Sequence, residues 1–175
     1  PFVQLNYRPM NAPKYTADLP PEIEEKRVHM SDFRQQSRPS LSGGYGSIKF
    51  VIEKTDPQNT RPPRECVLKQ TNTSLDDDNT YQSFTREISI LINYPHPAIV
   101  PFVGFAENRR NGTGVIYLAK MERGSLKDLI DKNANHPDPN LDYTRKLIIT
   151  YGMAAAMEYL HSNTVIHRDF KPANV

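Results

Sequence analysis

Apolar residues along this chain change their spacing twice, and that change limits the architecture more than overall composition does. Residues 47–53 alternate in the manner of a strand, and Gly43, Gly44 and Gly46 ahead of them mark a turn. A hairpin through Gly46 is expected, with Pro39 in its first arm. The stretch 55–63 carries Pro57, Pro62 and Pro63 and reads as a loop, with 65–70 as the next strand. After an acidic turn at 76–79, Phe84, Ile88, Leu91 and Ile92 recur at helical spacing until Pro95 and Pro97 end the helix.

Two further apolar runs, 100–105 and 115–119, flank the turn-rich 108–114 and read as an antiparallel pair. Gly124 and Ser125 open a short helix through Leu126, Leu129 and Ile130, and a loop follows at 133–140. Asp142 is a suitable N-cap for a long helix in which Leu147, Ile148, Tyr151, Ala155, Tyr159 and Leu160 form one apolar face. Three strands, a helix, two strands and then helices predict an α+β fold: a small antiparallel sheet carrying one helix, joined to a mainly helical part. Residues 1–30, with five prolines and a short charged run, read as a linker or flanking segment with one helical turn.

Composition narrows the function classes. The 22 basic and 20 acidic residues are interspersed, so the chain lacks the basic field that nucleic-acid binding needs. Cys66 is the only cysteine, which rules out an internal disulfide framework or a thiolate zinc site and fits a reducing, cytoplasmic setting. The most apolar stretch, 147–160, is too short to span a bilayer. His29, His96, His136 and His161 have no ligand-like spacing.

The chemistry concentrates near residue 170. His167-Arg168-Asp169 alone would recur by chance roughly once in 10⁴ positions, but Lys171 follows two residues after Asp169, Asn174 five after it, and an apolar entry at 164–166 precedes it. Taken singly these are a solvated carboxylate, a surface lysine and a turn asparagine; their joint spacing outweighs that reading. It resembles the catalytic loop of protein kinases. The resemblance implies that Asp169 is the catalytic base accepting the acceptor hydroxyl, that Lys171 sets positive charge beside the transferred phosphoryl group, and that Asn174 binds magnesium. Lys171 also implies serine/threonine specificity, since tyrosine kinases usually lack lysine there.

Upstream residues extend the resemblance over about 31–175. Residues 41–48 resemble the glycine-rich loop, with Ser42, Gly43, Gly44, Tyr45 and Gly46 at the ATP phosphates and Ile48 over adenine. Leu41 stands at the first glycine position and Val67 where alanine is usual. Cys66-Val67-Leu68-Lys69 resembles the strand whose lysine contacts the α- and β-phosphates, and Glu87 on the following helix is placed to pair with Lys69. Leu118 then matches the gatekeeper, Ala119 and Met121 supply backbone groups to adenine, and Ser125 lies at the nucleotide site.

The implied organisation is a flanking segment over 1–30, a kinase N-terminal lobe with hinge over 31–123, and a partial C-terminal lobe over 124–175. Residues 124–126 and 157–161 most resemble the tyrosine-kinase-like group of serine/threonine kinases. The implied function of the parent protein is transfer of the ATP γ-phosphoryl group to protein serine or threonine with Mg²⁺. The alternative, motivated by Leu41 and Val67, is a non-catalytic kinase-like module that binds nucleotide or partners. A kinase is expected to continue after Val175 to an Asp-Phe-Gly segment carrying the other magnesium ligand, whose absence would favour the module; this fragment by itself is expected to be inactive, with the apolar face of its long helix partly uncovered.

Overall fold

The computed structural model describes residues 19–37, 40–43, 46–54, 62–108, 110–138 and 141–175. Six strands among them pair into one antiparallel sheet: β1 (Phe33–Gln35), β2 (Leu41–Gly43), β3 (Gly46–Glu53), β4 (Glu65–Ser74), β5 (Phe102–Asn108) and β6 (Thr113–Ala119). The spatial order is β1-β3-β4-β6-β5, with β2 also paired to β3. Four helices accompany them: α1 (Pro21–Glu24), α2 (Asp78–Asn93), α3 (Leu126–Asn135) and α4 (Tyr143–Ser162). The α+β class is therefore as the apolar spacing predicted.

The described chain forms two compact units, residues 19–95 with 101–120, and residues 96–100 with 121–175. In the first, β4 alternates strictly. Cys66, Leu68 and Gln70 are buried on one face of the sheet, and Val67, Lys69 and Thr71 occupy the other. The first face packs Val51, Cys66, Leu68, Ala106, Val115 and Tyr117 together, with Phe33 stacked on Tyr117 at 4.0 Å between ring centroids. On it, Gln70 Nε2 donates to Thr113 Oγ1 at 2.7 Å, satisfying a buried amide.

The second face carries α2. Asp77 caps the helix, its carboxylate accepting from the Thr80 N–H at 2.8 Å, so the expected acidic turn is in part the cap and first turn of α2. Phe84 and Ile88 bury against Leu75, Phe105 and Ile116, each such side chain contributing about 1.5–3 kcal/mol. Gly114 permits this seat, because a Cβ there would lie 2.6 Å from the Phe84 ring. The helix ends at Asn93, two residues ahead of Pro95.

Two expectations are revised. The first hairpin arm is two short strands, β1 and β2, both paired to β3; Pro39 lies outside the described residues. Of the flanking segment expected over 1–30, residues 1–18 lie outside the described set, but 19–30 fold onto the sheet, with Ile23 only 4% exposed in the α2 core. Of the loop expected over 55–63, residues 55–61 likewise lie outside the described set. In the second unit α4 buries Ala156 and Leu160, and Leu147, Ile148 and Tyr151 are exposed, in line with the partly uncovered face expected of it. Apolar side chains ring this helix rather than forming one stripe, so no single packing surface can bury them all.

Tyr117 presents a test. Its side chain is fully buried, and its hydroxyl finds no hydrogen-bond partner among the described residues. Burial, reinforced by Asp32 and Cys66, pushes the phenol up from 10.0 to about 12. An unfolded tyrosine ionises at the lower value, so proton release favours the unfolded chain as pH rises through this window. Tyr117→Phe is expected to leave stability at pH 7 within about 1 kcal/mol of the unsubstituted protein and to remove part of its loss above pH 10, as measured by urea denaturation across pH.

Candidate functional site

In the first unit, the register of the sheet brings one group of candidate residues together. Ile48 pairs with Lys69, which pairs with Ile116; one step along, Phe50 pairs with Val67, which pairs with Leu118. Directly paired residues share a face, so Ile48, Val67, Lys69 and Leu118 all lie on the α2 side. Phe50 was not singled out in the sequence, yet it belongs to the same row. Its position two residues beyond Ile48 is the signal that identifies it.

Glu87 reaches this face because it stands three residues after Phe84 and four before Leu91, on the side of α2 turned to the sheet. Lys69 Nζ lies 2.7 Å from Glu87 Oε1, with the two side chains 31% and 38% exposed. The pair borders a cavity of about 270 Å³ whose other lining residues include Thr71, Asn72, Thr80 and Ser83. Hydroxyls and amides beside a half-buried cation suit a polar, anionic ligand more than an apolar one.

The remaining nucleotide candidates are placed as follows. Gly43 pairs with Gly46 and Ser42 with Ser47 at the β2–β3 hairpin, while Gly44 and Tyr45 lie outside the described residues. The Ala119 N–H donates to the Pro101 carbonyl at 2.9 Å and is engaged within the first unit. Lys120 forms an ion pair with Glu65, tying the end of β6 to the start of β4. Met121, half exposed, belongs to the second unit. Ser125 caps α3: its hydroxyl donates to Asp128 Oδ2 at 2.8 Å and accepts from the Asp128 N–H at 3.1 Å. That capping box engages the hydroxyl proposed for ligand contact.

The second unit carries its own group of candidate residues. Lys171 Nζ is 2.8 Å from Asp169 Oδ1, and Asn174 Nδ2 donates to both Asp169 Oδ2 and the Asp169 carbonyl, each at 2.8 Å. Arg168 sits at φ +64°, a left-handed conformation that costs a non-glycine residue energy and turns the chain sharply at the acid. His167 meets Phe170 edge-on at 5.8 Å, and its Nδ1 accepts from the Asp169 N–H at 3.3 Å. The turn Pro172–Asn174 closes the loop, and Val175 accepts from the Leu126 N–H of α3 at 2.6 Å. His96 of the same unit stacks on Tyr159 of α4 at 5.0 Å.

Electrostatically, the Lys171 ammonium first, then the Asn174 amide, holds the Asp169 carboxyl below the usual carboxylate range. Because the amide nitrogen of Asn174 is the atom turned to Asp169, its oxygen remains for a hard cation. Among the described residues no group of three or more His, Cys, Asp or Glu side chains is placed to hold a metal. No described helix is long and apolar enough to cross a membrane.

Comparison with known proteins adds an independent line. The family model described as the protein kinase domain matches residues 42–175. The chain is 32% identical over 137 residues to MDIS1-interacting receptor like kinase 2 of Arabidopsis thaliana, covering 77% of this chain and 12% of that protein. It is 33% identical over 116 residues to human mitogen-activated protein kinase kinase kinase 3, covering 64% and 18%. Against receptor-like cytoplasmic kinase 176 of Oryza sativa it is 28% identical over 156 residues, covering 87% and 38%. The chain thus spans well under two thirds of the length of these relatives.

The ion pair at Asp169 gives a direct prediction. Lys171→Ala should raise the titration midpoint of the Asp169 carboxyl toward its ordinary value, followed by NMR of the side-chain carboxyl carbon. An unmoved midpoint would show that Lys171 does not hold this charge.

Proposed function

We propose, from the premise that the chain belongs to the protein kinase domain family, that the protein containing it transfers the γ-phosphoryl group of ATP to serine or threonine hydroxyls of a protein substrate. The observation that carries the reading is the formed Lys69–Glu87 ion pair at 2.7 Å, in a chain that also holds Asp169, Lys171 and Asn174 as one hydrogen-bonded cluster. The formed pair also favours an active enzyme over a non-catalytic module, despite Leu41 and Val67. A cytosolic setting agrees with Cys66, buried in the sheet, being the single cysteine of the sequence.

In this reading Glu87 orients Lys69, whose ammonium meets the α- and β-phosphates. Ile48, Val67, Phe50 and Leu118 offer the apolar face that a purine ring requires. Protein kinase domains use a divalent metal, which when bound neutralises phosphate charge; the Asn174 amide oxygen would hold it. The acceptor oxygen bonds to the γ-phosphorus as the bond to the β–γ bridging oxygen breaks, ADP departs, and the hydroxyl proton passes to Asp169. Held ionised by its neighbours, Asp169 is a weak base, so its main contribution is orienting the hydroxyl until the proton becomes acidic late in transfer. Lys171 exchanges its contact with Asp169 for one with the moving phosphoryl group.

The test is a phosphotransfer assay on the full-length protein with a serine- and threonine-containing protein substrate. Asp169→Asn and Lys69→Ala should each lower kcat by about 10² or more while circular dichroism and Tm remain near those of the unsubstituted protein. Full activity in either folded variant would overturn the assigned roles.

A further inference from the structure

The segment ahead of the sheet is built into the α2 face. Isolated, α1 is one turn of four residues and far too short to persist in water, so contacts with the sheet and α2 set its position. Ile23, 4% exposed, enters the cluster formed by Phe84 and Ile88 of α2 with Phe105 and Ile116 of the sheet, and Leu19 packs against its margin. Past α1 the backbone runs parallel to the edge strand β5. The Val28 N–H donates to the Phe105 carbonyl at 2.9 Å, and the Phe105 N–H donates to the Lys26 carbonyl at 3.3 Å. The segment thereby covers an edge that would otherwise offer unpaired backbone groups.

Two features show that β5 is shaped to receive it. Gly104 is one: a Cβ there would lie 2.5 Å from Val28 Cγ1 and 3.1 Å from the Lys26 carbonyl oxygen. Arg27 is the other. Its guanidinium lies 4.8 Å from the centre of the Phe105 ring, 3.3 Å from Glu107 of β5, and donates to Glu24 of α1 at 3.0 Å. Beyond Arg27 the chain crosses to the opposite face, where Val28 and Phe33 pack against the second core cluster. The segment is thus clamped on both faces, and it lies ahead of residues 42–175 that match the kinase family model.

We infer that residues 19–28 are a strap that seats α2 against the sheet and so keeps Glu87 on Lys69, with Ile23 as the positioning residue. This rests on the phosphoryl-transfer reading of that ion pair. Ile23 sits on the buried side of α2 through Phe84 and Ile88, and Glu87 lies between those two residues in sequence. Space left by Ile23 would let the helix shift, carrying the carboxylate from the lysine. A strap held by a few backbone hydrogen bonds, the Arg27 contacts and the packing of Leu19, Ile23 and Val28 can also detach locally without unfolding the sheet, so covalent or protein contacts upstream of residue 19 would reach the ion pair through it.

The experiment is hydrogen exchange on the full-length protein, reading amides of 84–92 relative to core amides of β4 and β6, together with ATP affinity by calorimetry. Ile23→Ala should speed α2 exchange relative to the strands on the order of tenfold or more, with Ile23→Val intermediate and Ile23→Leu restoring protection. Gly104→Ala, which displaces the strap without touching α2, should do the same, and adding Ile23→Ala to it should add little. Val51→Ala, in the opposite cluster, should leave the ratio unchanged. Ile23→Ala should weaken ATP binding in the unsubstituted background but not in Glu87→Gln. An unchanged exchange ratio in Ile23→Ala, or equal losses of affinity in both backgrounds, overturns the strap. If the unsubstituted protein binds no ATP, the proposed function falls, while the exchange ratio still decides whether the strap seats α2.

Discussion

The seam between α2 and the sheet governs the first unit. Phe84 and Ile88 descend onto Phe105, Ile116 and Leu75, and Gly114 leaves room for the Phe84 ring. Once that seam forms, the helical repeat places Glu87 toward β4, and the strand repeat places Lys69 toward α2. The ion pair is then a consequence of packing more than its cause, since a half-exposed lysine–carboxylate contact contributes little by itself. Packing thus holds the two charges side by side at the border of a cavity.

The second unit solves a different problem over a much shorter distance. Asp169, Lys171 and Asn174 lie within six residues, so their meeting needs a local turn and no distant partner. The left-handed Arg168 provides the turn, and the short Pro172–Asn174 helix returns Asn174 to Asp169. The lowered Asp169 carboxyl follows from those contacts. A group kept anionic in this way is suited to accepting a hydrogen bond from a hydroxyl.

Much of this was legible beforehand because it depends on short repeats. Alternation through 65–70 separated Lys69 from the buried Cys66 and Leu68, and the spacing of Phe84 and Ile88 put Glu87 on the inner side of a helix. What escaped notice did so for physical reasons. Ile23 is one apolar residue among prolines and charges, so no periodicity reveals that it is buried. The division of the first hairpin arm into β1 and β2 depends on pairing with β3, and Ser125 serves a cap that only helix formation calls upon.

By itself the sequence determined the element types, the α+β class, and the identities and spacings of the residues that carry the chemistry, since each follows from interactions within a few positions along the chain. Only the tertiary structure decided that Lys69 and Glu87, 18 residues apart, are in contact. It also decided that Phe50 joins the row of Val67 and Leu118, and that Ile23 is buried in the core beneath α2. Those outcomes depend on which faces pack together, and burial of apolar surface is set by distant partners that no local pattern encodes.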